Sequence, residues 1–449
     1  MNQLPNRITS PSWLQLLNWT LDPISFLDRN CRKYGDIFTM QLSATDFRVF
    51  IGNPQAIQEI FDKEANFDIG RGNEDLKIVV GSNSLLLMDG ERHRRERKLL
   101  MPSFHGERLK SYTQQICQIS ERITSQWQVG QTFVVHRAMR QITLATIMQV
   151  IFGSSQGQCY EQLQTLLSDW FNIFNSPTFS TTLFFGFLQQ DWRKWTPWGR
   201  MKQRQRQICK LLQEEIEYRR TNPDEQRQDL LSLMMATRDE NGQSMTNEEL
   251  IDELLTILFG GYETTAAILA WALYEIHRNP DICEKLQQEL EDIGQHFDPL
   301  QIAQLPYLTA VCQETLRMYP ISAGPLSRIV KSSVKIAGYL FETGTVLVPT
   351  HYLVHYREDL YPDARSFKPD RFLERRYSPS EYLPFGGGSR RCLGYAFAQL
   401  ELKLVLATIL SKYRLSLVDK KPVPIQRFGF IVAPRGGIKM VMTGKQENI

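Results

Sequence analysis

The sequence predicts a mainly α-helical protein with small β-sheets, folded as one large domain. Helical periodicity recurs along most of the 449 residues, whereas strand-like alternation is confined to three short stretches. With 42% hydrophobic and 22% charged residues, the chain can bury a sizeable core. No Ser/Gly-rich or Pro-rich linker, repeat or low-complexity run divides it, so we predict a single domain over residues 1–449.

Amphipathic periodicity punctuated by proline and glycine predicts the positions of the helices. They are expected at residues 53–62, 91–100, 111–127, 141–151, 160–175, 200–219, 248–278, 280–292, 308–318 and 394–412. A small β-rich region is expected from residues 36–51, 334–350 and 427–443.

The most apolar segment is LLTILFGGYETTAAILAWAL, from Leu254 to Leu273. Its length approaches the ~20 apolar residues that span a bilayer. However, Glu263 lies near its middle and its flanks are acidic, which is an unfavourable pattern for a lone membrane span. A helix that is apolar on all sides is expected at the centre of a large helical core. We therefore predict a long central core helix.

Charge, cysteine usage and the amino terminus limit the class of protein. A net charge of +3 argues against a dedicated nucleic-acid binder. The seven cysteines occur singly without any CxxC, so neither a disulfide framework nor a zinc site is indicated. The first residues, MNQLPNRITSPSWLQLL, contain no apolar run long enough for a signal peptide or membrane anchor. We expect a soluble cytoplasmic protein.

The loop FGGGSRRCLG, Phe385–Gly394, surrounds one cysteine with glycines and arginines. Glycines let a backbone approach a ligand closely, and arginines bind anions through a planar fork. A predicted helix begins just after Cys392, and its amino-terminal end would favour a thiolate. Because no CxxCH motif or second nearby cysteine exists, one thiolate suits haem iron. The alternative is a glycine-rich turn around an incidental buried cysteine.

A second motif, GGYETT, lies inside the central helix. Gly260 and Gly261 each cost about 1 kcal/mol relative to alanine in a helix interior. Glu263 and Thr264 add polar groups to an apolar core, which is costly unless they are satisfied. The glycines would let a flat ligand or O2 approach, and the acid and hydroxyl could pass protons through water. The alternative is a helix kink with a threonine bonded back to a carbonyl.

Two further motifs contain charged residues at helical spacing. In QETLR, Glu314 and Arg317 share one helix face, and Arg371 in the downstream FKPDRF could complete a buried structural network with them. The alternative is a surface pair of little energetic value. In DGERHRRERKLL, His93 and Arg97 lie one turn apart and could bind the propionates of a haem. The alternative is a solvated helix face.

Together the four motifs closely resemble the cytochrome P-450 haem-thiolate monooxygenases, in order and in separation, over essentially the whole chain. The matched positions are Phe385, Gly388, Arg390, Cys392 and Gly394 in FxxGxRxCxG; Gly260, Gly261, Glu263, Thr264 and Thr265 in the central helix; Glu314 and Arg317 in ExxR; and Pro369, Arg371 and Phe372 in PxRF. The resemblance implies a long central helix over haem b with the Cys loop beneath it. It also implies O2 as cosubstrate and insertion of one oxygen atom into a C–H or C=C bond.

The resemblance also implies roles for individual residues. These are Cys392 as the iron ligand; Arg390, His93, Arg97 and Arg328 as partners of the haem propionates; Glu263 and Thr264 as the acid–alcohol pair that delivers protons to oxygen; Phe385 as the ring that shields the sulfur; and Gly394 as the residue that lets the next helix start beneath the iron.

Substrate and partners are also expectations from the resemblance. The aromatic segment Trp170–Trp198 resembles by position a mobile lid over the distal pocket, although aromatic density is also typical of a core. We expect a lipophilic substrate, such as a fatty acid, alkane or terpenoid. The expected substrate contacts are Gly260, Ile321, Ser322, Ala323 and Phe430. We expect a monomer that receives electrons from a ferredoxin-type donor and its reductase, docked near the basic residues Arg92, Arg94, Arg95, Lys98 and Arg391.

Three other functions fit part of these observations. A non-catalytic haem sensor would share the Cys loop but would not need Glu263 and Thr264. A cysteine-nucleophile hydrolase would use Cys392 with one of the seven histidines. A haem isomerase or dehydratase would use the same fold.

Overall fold

The computed structural model describes residues 4–42, 46–153, 158–174, 195–224, 226–238, 242–294, 298–322 and 326–446, with a few positions between 176 and 191. The described part is mainly helical. Its α-helices are α1 Ser12–Leu21, α2 Pro23–Tyr34, α3 Pro54–Asp62, α4 Lys77–Val80, α5 Gly90–Leu100, α6 Glu107–Thr124, α7 Val135–Phe152, α8 Gln158–Phe174, α9 Pro197–Thr221, α10 Leu230–Ala236, α11 Asn247–Gly261, α12 Glu263–Arg278, α13 Pro280–Glu291, α14 Pro299–Ile302, α15 Pro306–Met318, α16 His351–His355, α17 Arg371–Glu374 and α18 Tyr395–Leu410.

The strands form four small sheets within the described residues. They are β1 Ile37–Gln41, β2 Phe47–Ile51, β3 Phe67–Asp68, β4 Thr132–Val134, β5 Arg328–Val330, β6 Val334–Ile336, β7 Tyr339–Phe341, β8 Val346–Pro349, β9 Tyr413–Leu417, β10 Ile425–Phe428, β11 Ile431–Pro434 and β12 Lys439–Lys445. The largest sheet has the order β1-β2-β8-β5-β3, in which β2 and β8 are parallel. The others are β4-β12-β9 and the pairs β6-β7 and β10-β11.

The sequence predicted the long helices well and the sheets less well. Each of the ten predicted helical segments contains a helix. The three strand-rich stretches do not form one region, because they are divided among all four sheets. Helices α1, α2 and α10 and the short helices α4, α14, α16 and α17 were not predicted. The reason is clearest for α1, because the side chains that it buries are Gln15 and Thr20 rather than an apolar stripe.

The long central helix consists of α11 and α12, which join at a break. Helix α11 begins with a capping box between Thr246 and Glu249, and the two helices meet at Tyr262 (φ −84°, ψ −73°). The stretch Asn247–Arg278 is the one helix of the described residues long and apolar enough to cross a membrane, yet 72% of its apolar window is buried inside the protein. It packs against α7, α15 and α18. The helix therefore forms the centre of the core.

Candidate active site

The Cys loop is shaped by its packing against the region of α3. The Cys392 N–H donates to the Phe385 carbonyl oxygen at 2.9 Å, which closes the loop. A Cβ at Gly387 would overlap the Phe61 ring, and one at Gly388 would overlap the Glu64 carboxylate. Glu64 also accepts the Ser389 N–H at 3.0 Å. These two glycines are thus required by neighbouring protein side chains.

Two other glycines border open space. A Cβ added at Gly394, just before α18, would meet no protein atom within 4 Å, and the same is true at Gly260 near the end of α11. Gly260 is also exposed, although its helix lies in the core. Substituents at these positions would enter a space that the protein leaves free. Space free of protein atoms beside both glycines is what a flat group such as haem b requires.

Cys392 lies at the end of the loop and combines accessible surface with strong desolvation. That combination is expected for a thiol that faces an internal cavity. Burial raises the pKa of the Cys392 thiol, and the Gly394 N–H, Arg97 and Arg391 only partly oppose this shift. The direction of this shift opposes the sequence-based expectation that the cysteine ionises easily. A thiol that coordinates a metal is deprotonated by the metal.

The aromatic residue of the loop, Phe385, lies near the first turn of α18. The Phe385 ring is half-buried, and its centroid is 6.4 Å from that of Tyr395. The Arg391 guanidinium stacks on the Tyr395 ring at 3.9 Å. The Phe385 ring thus lies near the first turn of α18, and its carbonyl oxygen accepts the Cys392 N–H.

A cluster of basic side chains lies beside the loop, with Arg328 and His93 buried and Arg97 half-buried. Arg328 is fully buried, its Nε has no hydrogen-bond partner, and burial lowers its pKa to about 10. His93 is also buried, and burial, then Arg390 and Arg97, lower its pKa to about 4, so it is neutral at pH 7. Burial lowers the pKa of Arg97, while Cys392 opposes that shift. A buried guanidinium with an unsatisfied donor is costly. The cluster therefore fits a carboxylate-bearing group, as the propionates of haem b are.

Arg390 is already bound to the protein. It donates to Asp89 Oδ1 at 2.8 Å and to the Met88 carbonyl oxygen at 2.5 Å. Asp89 in turn accepts the N–H groups of Ile69 and Gly70, each at 2.9 Å. Arg390 thus supports the loop that leads into α5. Sequence analysis missed Asp89 as its partner, although Asp89 begins the motif that contains His93.

On the central helix, Thr264 and Glu263 point to different neighbours. The half-buried Thr264 hydroxyl donates to the Gly260 carbonyl oxygen, beside the helix break at Tyr262. The back-bonded threonine and kink considered as an alternative are therefore present. They coexist with the open space at Gly260.

Glu263 is buried against α7. Its carboxylate oxygens lie 3.0 Å from His136 Nε2 and 2.9 Å from Arg140 Nε. The Arg140 guanidinium also lies 5.3 Å from the centre of the Tyr262 ring. Sequence spacing does not indicate these partners, because they lie far upstream on a helix that only the fold brings to α12. Glu263 is held by two basic groups on the side of α7.

The ExxR motif forms a fully buried charged network. Arg317 donates through Nε and Nη2 to Glu314 at 2.7 and 2.9 Å, and both side chains are 0% exposed. Arg371 Nε donates to Glu314 Oε1 at 3.2 Å. Arg317 Nη1 also donates to the His355 carbonyl oxygen at 2.6 Å, and His355 Nε2 accepts the Leu383 N–H at 3.1 Å. The network thus reaches a residue two positions before Phe385, where the Cys loop begins.

Most of the predicted substrate contacts meet on one wall. The Val432 N–H donates to the Ile321 carbonyl oxygen at 2.7 Å, which ties the β10–β11 hairpin to the segment after α15. The Phe430 ring packs edge-to-face on Phe259 at 6.1 Å, and Phe259 precedes Gly260. Ser322 is half-buried next to Ile321. Ala323 lies outside the described residues.

The segment Trp170–Trp198 is described only in part. Several of its described aromatic rings pack on one another, whereas Trp195 is exposed. The Trp170 and Phe174 rings meet edge-to-face at 5.0 Å, and Phe179 stacks on Trp198 at 6.0 Å. Trp170 and Phe179 are fully buried. These rings belong to the core, as the alternative interpretation of aromatic density expected.

Known proteins share these features and this fold. The cytochrome P450 family model matches residues 9–442. Cytochrome P450 135B1 of Mycobacterium tuberculosis is 35% identical over 395 residues, 88% of this chain and 81% of that protein. Cytochrome P450 138 of the same organism is 30% identical over 441 residues, 98% of this chain and 96% of that protein. The structure described as retinoic acid-bound cyanobacterial CYP120A1 superposes with a TM-score of 0.87 at 26% identity, covering 99% of this chain and all of that one. The predicted fold is confirmed, and the chain belongs to the cytochrome P450 family of haem monooxygenases, with haem b as cofactor and O2 as cosubstrate.

Proposed function

We propose that this cytochrome P450 hydroxylates or epoxidises a fatty acid, alkane or terpenoid, as a cytoplasmic monomer that takes electrons from a ferredoxin-type donor. Family membership implies a lipophilic substrate and a redox partner. The narrower substrate class depends on one observation, the apolar wall of Phe259, Ile321 and Phe430 beside the open space at Gly260.

The chain's own residues would hold the cofactor from three sides. Cys392 is the proposed iron ligand, and His93, Arg97 and Arg328 are the proposed partners of the propionates. Haem b, when bound, supplies the activation of O2 and the transfer of one oxygen atom. The unsatisfied Nε of Arg328 supports this assignment most directly, because a propionate would satisfy a buried donor.

We assign proton delivery to Glu263 and Thr264. The Thr264 hydroxyl borders the open space near Gly260 and is the proposed final donor. Glu263 contacts His136 and Arg140, so it must release one of them and take up a proton from solvent before it can pass that proton toward Thr264 through water. His136 and Arg140 therefore set the resting orientation of the acid.

The shape and polarity of the pocket wall favour a lipophilic guest. Glycine at position 260 lets a substrate approach the helix backbone, and Phe259 and Phe430 supply apolar contact surface. The similar structure CYP120A1 is described as bound to retinoic acid, an isoprenoid carboxylic acid. At 26% identity, this likeness supports the terpenoid class without assigning retinoic acid to this chain.

The proposed docking surface for an acidic donor is narrower than the sequence suggested. Arg92, Arg94 and Arg95 are paired with Glu249, Glu91 and Glu96. Lys98 and Arg391 are exposed and form no ion pair with any described residue. These two cations, one on α5 and one next to Cys392, are the proposed contacts for an acidic ferredoxin.

A spin-state titration tests the substrate class. The haem-loaded protein is titrated with fatty acids, alkanes and terpenoids, and products are analysed after turnover with isotopically labelled O2. We expect at least one of the three classes to shift the haem spectrum and to acquire one labelled oxygen atom. Phe430→Ala should weaken substrate binding in that titration, whereas Leu373→Ala, at a surface residue that is 52% exposed, should not. Binding confined to polar compounds, or products without labelled oxygen, would refute the proposal.

A further inference from the structure

Helix α1 places three large apolar side chains outward and two polar side chains inward. Its buried residues are Gln15 and Thr20, whereas Trp13, Leu17 and Leu21 are 68%, 37% and 69% exposed. These three are spaced four residues apart, so they form one stripe along the helix. No residue of α1 is charged. We call Trp13, Leu17 and Leu21 the α1 stripe.

Hydrogen bonds fix this orientation. Gln15 Nε2 donates to the carbonyl oxygens of Ile8 and Ser10, at 3.2 and 2.6 Å. Gln15 Oε1 accepts the Gln41 N–H of β1 at 3.0 Å. The helix cannot rotate its apolar face inward without breaking these bonds and leaving the Gln41 N–H without its partner. A contiguous apolar stripe held at the surface in this way is typical of an interaction site.

Exposed cations flank the stripe. Arg29 of α2 lies 3.5 Å from Asn18 of α1, and Arg32 and Lys33 follow on the same side of α2. None of the three forms an ion pair with a described residue. The nearby carboxylate of Asp28 is already paired with Arg365 at 2.7 Å. The surface therefore combines an uncharged apolar ridge with a basic edge.

We infer that the α1 stripe and the basic residues Arg29, Arg32 and Lys33 dock this enzyme on the surface of a bilayer that contains anionic lipids. Trp and Leu side chains enter the interfacial region, while Arg and Lys side chains meet the headgroups. A second copy of the chain suits this surface less well, because a two-fold contact would bring the same cations together.

Helix α1 also contacts the hairpin that belongs to the proposed substrate wall. Arg427 of β10 donates to the Trp19 carbonyl oxygen of α1 at 3.0 Å, and its guanidinium lies 5.2 Å from the centre of the Trp19 ring. The hairpin that begins with β10 carries Phe430 at its turn. Bilayer docking would thus place the pocket wall near the lipid. Entry of substrate from the bilayer rests on the proposed function, whereas the docking itself does not.

Vesicle sedimentation of the haem-loaded protein tests the docking. We expect binding to vesicles of phosphatidylcholine with phosphatidylglycerol, weaker binding to phosphatidylcholine alone, and a decrease in binding as salt rises. The double variant Trp13→Ser/Leu17→Ser should bind ~10-fold or more weakly, because it loses two apolar side chains that would be buried in the bilayer. The matched control is Leu340→Ser, at a site that is 41% exposed on β7, and it should bind like the parent.

Charge reversal gives an independent measure. Arg29→Glu/Arg32→Glu should remove the preference for phosphatidylglycerol, whereas Lys439→Glu on β12 should leave it intact. The spectrum of the reduced, carbon monoxide-bound protein shows that each variant keeps its haem.

Absence of vesicle binding, or equal binding by the parent and both double variants, would overturn the inference. A dimer of the parent that Trp13→Ser/Leu17→Ser dissociates, without vesicle binding, would also overturn it and assign the stripe to self-association. Vesicle binding without faster turnover of a vesicle-dissolved substrate would reject only substrate entry from the bilayer.

Discussion

Replacing Arg317 by alanine removes the centre of the buried charged network. Arg317 donates two hydrogen bonds to Glu314 and one to the His355 carbonyl oxygen, and neither charged side chain is exposed. The variant retains Arg371 beside Glu314, but Arg371 alone does not balance the negative charge of the buried Glu314 carboxylate. Removing one partner of a buried pair costs about 3–5 kcal/mol. This is a large share of a total stability of about 5–15 kcal/mol. We therefore expect little soluble haem protein.

Yield, haem content and urea unfolding measure this loss. The control is Arg365→Ala, which removes a surface ion pair to Asp28 whose arginine is 56% exposed. Exposed pairs contribute about 0–1 kcal/mol, so this variant should behave nearly like the parent. If Arg317→Ala and Arg365→Ala unfold at the same urea concentration with equal haem content, the argument from burial is refuted.

Four further predictions concern single side chains. Cys392→Ser should abolish the thiolate absorption band of the reduced, carbon monoxide-bound protein, and Cys312→Ser should leave the band in place; an unchanged spectrum for Cys392→Ser would contradict the ligand assignment. Thr264→Ala should divert electrons into hydrogen peroxide and lower product yield, since general acid steps contribute ~10²- to 10⁴-fold, and a loss of coupling below twofold would argue against its role. Burial raises the pKa of Glu401 from 4.5 to about 8, so the folded protein keeps a proton that the unfolded chain releases and stability falls as pH rises between these values. Glu401→Gln should reduce that fall by up to about 1.4 kcal/mol per pH unit in urea unfolding, and an unchanged slope would show that Glu401 is ionised in the folded state. Lys98→Glu should slow reduction by an acidic ferredoxin in stopped-flow measurements, most strongly at low salt, without changing substrate affinity. Reduction rates that depend neither on this substitution nor on the salt concentration would place the docking surface elsewhere.

Features that depend on local spacing could be predicted from the sequence alone. Glu314 and Arg317 lie three positions apart and meet on one turn of α15, as helical geometry requires. The apolar run around Glu263 predicted the central core helix, because a helix without a polar face must be buried. The Cys loop and the helix that follows it were also visible as a continuous motif.

Contacts between groups that are distant in the chain depend on how the helices and loops pack together. His136 and Arg140 reach Glu263, and Asp89 reaches Arg390, because separate helices and loops pack together. Hydrophobic periodicity indicates which face of an element is buried, but it does not indicate the partner on that face. The thiol pKa of Cys392 shows the same limit, since helix position suggested easy ionisation and burial outweighs it. In α1, long-range hydrogen bonds of Gln15 turn the helix so that Trp13 and its neighbours face outward, which no rule of apolar periodicity could have predicted.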